Sequence, residues 1–220
     1  MKNAIVFGSS GFVGSHLLSE LLNSSDYGQV TAVVRKSLNI THQKLRTVIG
    51  DYNSLAGVKS EIDADEVFIA LGTTKANSPN EADYYKVDHD YPVLAARIAK
   101  ERGAKSVFLV SAVGANPRSK VFYVRTKGET ERDVIALDFE DTHIFRPSMI
   151  LGNRKEKRSL LEAALMRFWS ALNPLLIGKA DKYKGITGQD IAKAMMKSAK
   201  NKTEKLKIYQ WKEMHNLLQS

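Results

Sequence analysis

The stretch that most constrains the fold is GSSGFVG, Gly8 to Gly14, with three glycines at three-residue spacing between the apolar run AIVF and the helix-like run that continues to Asn23. A strand, a glycine turn and a helix in that order form the start of a nucleotide-binding βαβ unit. Gly8 is expected to end the strand and permit a tight turn. Gly11 lets a pyrophosphate approach the backbone at the helix N-terminus, and Gly14 lets the helix lie close to the strand. The spacing is one residue longer than the common G-x-G-x-x-G form, and the flanking strand and helix make it informative.

Further apolar, β-branched runs recur at Val30–Val34, Thr47–Ile49, Glu66–Leu71, Val107–Val110 and His143–Phe145. Their apolarity is continuous rather than alternating, as expected for parallel strands covered on both faces. Helical segments fit between them at about residues 11–23, 54–61, 82–102 and 122–136. The order predicts an α/β fold, a doubly wound parallel sheet of Rossmann type, in one domain over residues 1–220. Residues 1–152 form the expected cofactor-binding and catalytic core, and 153–220 the substrate-side and C-terminal elements. In the latter part, RKEKR at 154–158 precedes a segment with Leu161, Leu165, Phe168 and Leu172 at helical spacing. Packing on the sheet or under a loop is the reading preferred to a substrate lid, a dimer face or a membrane-surface helix. Thr187–Ser198 reads as a helix, and the tail as a strand followed by a terminal helix.

At the end of the second strand an NAD-binding unit usually carries an acid for the ribose 2′-hydroxyl. This chain has Arg35 and Lys36 there. Two cations suit a 2′-phosphate, so the expected cofactor is NADP, with NAD as the alternative. Asp51, in IGDYNS, is placed to face the adenine amino group. Gly72 and Thr73, in ALGTT, are placed against the ribose and phosphates; for both stretches the other reading is a plain turn.

The strand VFLV runs into SAVGANPRSKVFYVRTKGE, where Tyr123 and Lys127 are four apart on one helix face. With 8 tyrosines and 33 lysines and arginines in 220 residues, such a pair is not rare by chance. Its place after the fifth strand carries the weight, because ligands of open α/β sheets bind outside the carboxyl ends of the strands, where Ser111 also stands. The chemistry fits hydride exchange with a carbonyl. Tyr123 passes a proton to or from the substrate oxygen, Lys127 lowers the tyrosine pKa, and Ser111 holds the oxygen.

The ordered set GSSGFVG, AVVRKS, GDYNS, ALGTT, VSAVGA, YVRTK and FRPSMILG resembles the short-chain dehydrogenase/reductase superfamily, specifically its atypical members and the Tat-interacting oxidoreductase-like branch. The resemblance covers about residues 1–152. It implies Ser111, Tyr123 and Lys127 as catalytic residues. It implies a cofactor site of Gly8, Gly11, Phe12, Val13, Gly14, Arg35, Lys36, Asp51, Leu71, Gly72, Thr73, Lys127 and Pro147. Many relatives carry an asparagine as part of a proton relay in the helix before the catalytic strand; the nearest match here is Asp88. The function implied is an NADP-dependent oxidoreductase acting on a small carbonyl or alcohol. The alternative is a catalytically weak NADP(H)-sensing module that acts by binding another protein.

Other classes find little support. The chain has no cysteine, which excludes disulfides, thiol nucleophiles and cysteine-ligated metals and fits a reducing compartment. Its five histidines lack metal-ligand spacing, so no metal is expected. The first apolar stretch is too short for a signal peptide, and no run reaches the length of a membrane span. A cytoplasmic protein, monomeric or homodimeric, with a small-molecule substrate is the expectation. The net charge of +9 suits phosphate-bearing ligands, but the basic residues are interleaved with acids and no nucleic-acid motif occurs.

Overall fold

In the computed structural model, which describes residues 1–74, 77–152, 173, 176–201 and 204–220, seven parallel strands form one sheet in the order β3-β2-β1-β4-β5-β6-β9. The elements run β1 (Lys2–Phe7), α1 (Phe12–Asn23), β2 (Tyr27–Val34), β3 (Leu45–Ile49), β4 (Glu66–Ile69), α2 (Glu81–Tyr85), α3 (Tyr91–Glu101), β5 (Ser106–Val110), α4 (Phe122–Ile135) and β6 (Asp141–Phe145). They continue with β7 (Ile150–Leu151), β8 (Ile186–Thr187), α5 (Gly188–Lys200), β9 (Leu206–Tyr209) and α6 (Trp211–Gln219). The expected doubly wound sheet is present, and the tail adds its seventh strand beside β6 in the register Thr142↔Leu206 to Phe145↔Tyr209.

Both faces of the sheet are covered, which explains why β1, β4 and β5 read as unbroken apolar runs. One core joins Val6, Phe68, Phe108 and Phe145 to Leu17 and Leu21 of α1, Ile191 and Met195 of α5, and Met214 of α6. The other joins Ile5, Val67 and Leu109 to Ala95, Ile98 and Ala99 of α3 and Val134 of α4. The strand order reverses between β1 and β4, so the chain leaves their carboxyl ends in opposite directions and opens a crevice there.

Two helical expectations are corrected. Residues 54–61 form turns ending in a short 3₁₀ stretch, Lys59–Glu61, rather than a helix. Asp51 Oδ1 accepts hydrogen bonds from the backbone N–H groups of Asn53 and Ser54 and from Ser54 Oγ, at 2.9–3.0 Å. The side chain thus competes with helix formation, and Gly57 weakens it further. The helix expected over 82–102 is interrupted by a π-helical turn, Lys86–Asp90. Pro92 has no N–H to offer the Asp88 carbonyl four residues back, and that carbonyl accepts a 2.8 Å bond from Thr130 Oγ1 of α4. The segment expected as an amphipathic helix, with RKEKR and Leu161, Leu165, Phe168 and Leu172, lies outside the described residues. The expected helix at 187–198 is α5, with Thr187 Oγ1 capping it through a 3.0 Å bond from Asp190 N.

Candidate functional site

The crevice begins with backbone contacts. Gly8 has φ +87°, a conformation that L side chains rarely adopt, and a Cβ there would lie 2.5 Å from the Ala70 carbonyl oxygen. A Cβ on Gly14 would meet the Gly8 oxygen at 2.0 Å. These two glycines let β1, α1 and the end of β4 close on one another. Gly11 caps α1 without a side-chain hydrogen bond, so the first turn presents amides to whatever enters. That arrangement suits a phosphate group.

Two adjoining cavities share Ser10, Gly11, Asn77 and the stretch Ala70 to Thr73. The first, about 650 Å³, extends under the ends of β2 and β3 and is also lined by Gly8, Arg35, Asp51, Tyr52, Lys86 and Tyr91. The second, about 500 Å³, lies over the ends of β4 and β5 and is lined by Phe12, Val13, His16, Asp88, Ser111, Tyr123, Lys127 and Ile150. A larger open cleft of about 800 Å³ sits at the amino ends of the strands, where Lys2 pairs with Glu66 at 2.8 Å and Lys200 with Asp26 at 2.8 Å. Its charges satisfy one another, and the glycine loop is at the opposite end of the sheet.

In the second cavity the three residues singled out for catalysis come together. Ser111 follows β5, is 6 % exposed, and its Oγ has no hydrogen-bond partner among the described residues. Tyr123, in the first turn of α4, is 41 % exposed. Lys127, one turn further on, is buried, and its Nζ lies 2.7 Å from Asp88 Oδ1. The other Asp88 oxygen accepts the Thr73 N–H at 2.7 Å. Asp88 is therefore more than a mismatch to the expected asparagine: it joins the lysine to the end of β4. Tyr84, which the sequence reading missed, packs its ring edge-on against Tyr123, with centroids 6.4 Å apart. Burial, reinforced by the charge of Asp88 and by Tyr123, pushes its hydroxyl pKa well above the ordinary tyrosine value. A tyrosine four residues before a helical aspartate carries no signal of its own.

Three contacts bolt the π-helical turn to α4 at one-turn intervals. They are Asp88 to Lys127, the Asp88 carbonyl to Thr130, and His89 Nε2 to Asp133 Oδ2 at 2.9 Å. Arg146, just after β6, holds α4 from below, its Nε bonding Glu131 Oε1 at 2.9 Å.

In the first cavity Arg35 takes a place in the wall, whereas Lys36 is exposed and lines neither cavity. Successive side chains at a strand end point to opposite sides, so only one of the pair can face the crevice. Asp51 lines the cavity. Hydrogen bonds, first from the Ser54 backbone and then from the Ser54 hydroxyl, hold its carboxyl below the usual range. Leu71, Gly72 and Thr73 line both cavities. Gly14 is buried behind the loop, and Pro147 lines neither cavity; its carbonyl accepts the Val113 N–H at 2.9 Å and shapes the loop after Ser111.

A dinucleotide fits what is present. The cradle is closed to any side chain at Gly8 and Gly14, a cation and aromatic rings wall one end, and a buried hydroxyl with no partner among the described residues marks the other. Among the described residues no group of three or more His, Cys, Asp or Glu side chains could hold a metal ion, and no helix is long and apolar enough to cross a membrane.

Comparison with known proteins follows the same line. A family model described as NAD(P)H-binding matches residues 8–202. The protein named "Protein fmp52, mitochondrial" from Aspergillus fumigatus is 40% identical over 172 residues, 75% of this chain and 73% of its own. "Protein FMP52, mitochondrial" from Saccharomyces cerevisiae is 35% identical over 159 residues, 71% of this chain and 69% of its own. Among solved structures, UDP-N-acetylglucosamine 4-epimerase from Methanobrevibacter ruminantium M1 superposes with a TM-score of 0.70 at 22% identity, covering 95% of this chain and 76% of that one. The Bordetella bronchiseptica enzyme WbmH in complex with NAD+ gives a TM-score of 0.71 at 16% identity, over 96% and 76%. At those identities the structures show the shared fold. The relatives' names correct one expectation, that of a cytoplasmic protein, since they are mitochondrial proteins. Neither the lack of cysteine nor the lack of long apolar runs distinguishes one reducing compartment from another.

Proposed function

Because this chain belongs to the NAD(P)H-binding family and to the atypical short-chain dehydrogenase/reductases, we propose that it is an NADP-dependent oxidoreductase acting on a small carbonyl or alcohol. The observation that carries this reading is the convergence of Ser111, Tyr123 and Lys127 on a cavity continuous with the glycine loop. Residues of these types are expected in any helix and strand end; their meeting at the switch point, beside a dinucleotide cradle, is what the chemistry needs.

The cofactor, when bound, supplies or accepts the hydride. Gly8, Gly11 and Gly14 let its phosphates reach the α1 amides, and Arg35 meets the adenosine end. The Ser111 hydroxyl, buried and without a partner among the described residues, donates to the substrate oxygen and fixes its position. Tyr123 lies in the same wall and is partly open to the cavity, as a group that gives its proton to that oxygen in reduction and takes it back in oxidation. Lys127 keeps a positive charge close to the tyrosine. Asp88, itself fixed by the Thr73 N–H, accepts from the Lys127 ammonium and holds it in the cavity wall.

Calorimetric titration with NADPH and NADH in parallel, on the wild type and Arg35→Ala, tests the cofactor. Tight NADPH binding that weakens selectively in the variant is the expected result. A panel of carbonyl compounds with NADPH, controlled by Tyr123→Phe, then tests the reaction. Binding of neither nucleotide would reduce the glycine loop to a structural turn and remove the enzyme reading with it.

A further inference from the structure

We propose that Tyr91 is a cofactor-selecting residue whose hydroxyl, together with Arg35, binds the 2′-phosphate on the adenosine ribose of NADP. This rests on the cofactor reading above and adds a residue from a different element of the fold. Tyr91 opens α3 on the far side of the crevice from β2, and it lines the same cavity as Arg35 and Asp51. Its ring is clamped edge-on by Phe7 at 6.2 Å and by Tyr52 at 6.3 Å, both at 77° between planes. The residue is 9 % exposed, so the ring is held in place, and what exposure it has is toward the cavity that it lines. No hydrogen bond to the described residues engages that hydroxyl, so it is left for what enters the cavity.

The surrounding charge points to an anion. Arg35 and Asp51 both act on the Tyr91 hydroxyl, from the β2 and β3 ends respectively. Asp51 Oδ1 is already taken up by Asn53 and Ser54, and the ammonium of Lys86 stands nearby, bonded to Asn53 Oδ1 at 3.1 Å and lying 4.7 Å over the Tyr52 ring. The wall thus holds two cations against one internally engaged carboxylate. A neutral tyrosine between them donates to a dianion and has little to give an unphosphorylated ribose that Arg35 does not also reach. Hydrogen bonds to charged groups are stronger than those to neutral ones, so the effect of losing this donor is expected on the phosphorylated ligand.

The test uses two fragments of the cofactor, adenosine 2′,5′-bisphosphate and 5′-AMP, titrated calorimetrically into the full chain as wild type, Tyr91→Phe, Arg35→Ala and the double variant. Phenylalanine keeps the ring in its clamp, and equal thermal midpoints of wild type and Tyr91→Phe at pH 7 check that the fold is retained. The expected result is a loss of about ten-fold in bisphosphate affinity for Tyr91→Phe, with 5′-AMP changed by less than about two-fold, and a non-additive loss in the double variant. Equal weakening of both fragments places the hydroxyl on the base and overturns the proposal, as does no change in either. If the wild type binds neither fragment, the cofactor reading falls. If it binds the bisphosphate and Tyr91→Phe is silent, only the role of Tyr91 falls.

Discussion

Lys127 Nζ and Asp88 Oδ1 are 2.7 Å apart with both side chains buried, and the second Asp88 oxygen is bonded to the Thr73 amide. A buried pair of this kind contributes little over an apolar replacement, but breaking it by removing one partner strands a charge. Asp88→Ala is therefore expected to cost about 3–5 kcal/mol in denaturant unfolding. Asp88→Asn, which keeps an acceptor for Thr73 and a hydrogen-bonding neighbour for Lys127, is expected to cost less. Equal loss in the two would show that the missing charge decides, and not the volume and hydrogen bonds that asparagine keeps.

Gly128 follows Lys127 on α4, and a Cβ at this position would lie 2.2 Å from the Asn116 carbonyl carbon and 2.3 Å from Pro117 N. Backbone cannot yield as a side chain end can. Gly128→Ala is expected to push α4 away from the loop after Ser111, lowering stability by at least about 1–3 kcal/mol despite the gain in helix propensity. NADPH affinity should fall with it, because Tyr123 and Lys127 ride on that helix. Retained affinity with lowered stability would mean that α4 is not part of the cofactor site.

The Arg146 guanidinium grips both oxygens of Glu131, at 2.9 and 2.5 Å, with Glu131 buried. Arg146→Met leaves that carboxylate alone and is expected to destabilise by about 3–5 kcal/mol. Adding Glu131→Leu removes the stranded charge and should restore most of the loss. A double variant as unstable as the single one would assign the cost to the arginine's packing on β6.

The parts of this site that read directly from the sequence are those where backbone geometry admits one residue type. Gly8 and Gly14 stand where any Cβ would strike main chain, so their spacing survives as a visible pattern. Ser111, Tyr123 and Lys127 were legible through position, because a strand end and a helix face place them. Side chains that work through tertiary neighbours were not. Tyr84 and Tyr91 look like ordinary helical aromatics until α4 and β2 are packed beside them. Asp88 read as a departure because its meaning lies in the contact with Lys127. The segment 54–61 misled for the opposite reason: local hydrogen bonds donated to the Asp51 carboxylate by Asn53 and Ser54 overrode its helical composition.

Tyr91 supplies a pH dependence whose sign can be worked out. Burial foremost, then the charge of Asp51, opposed by Arg35, push its hydroxyl pKa up to about 12 from the ordinary value of 10.0. A raised folded-state value means that the unfolded chain loses the proton first. The stabilisation is fully present below pH 10 and is lost as pH rises toward 12, by on the order of 2 kcal/mol. Tyr91→Phe removes the titrating group, so the stability difference between wild type and variant should be constant from pH 7 to 9 and then shift in the variant's favour at higher pH. Chemical denaturation at intervals across that range measures it. A difference that stays flat to pH 12 would show that burial does not hold the proton on the hydroxyl, and the 2′-phosphate contact would then stand on the fragment titrations alone.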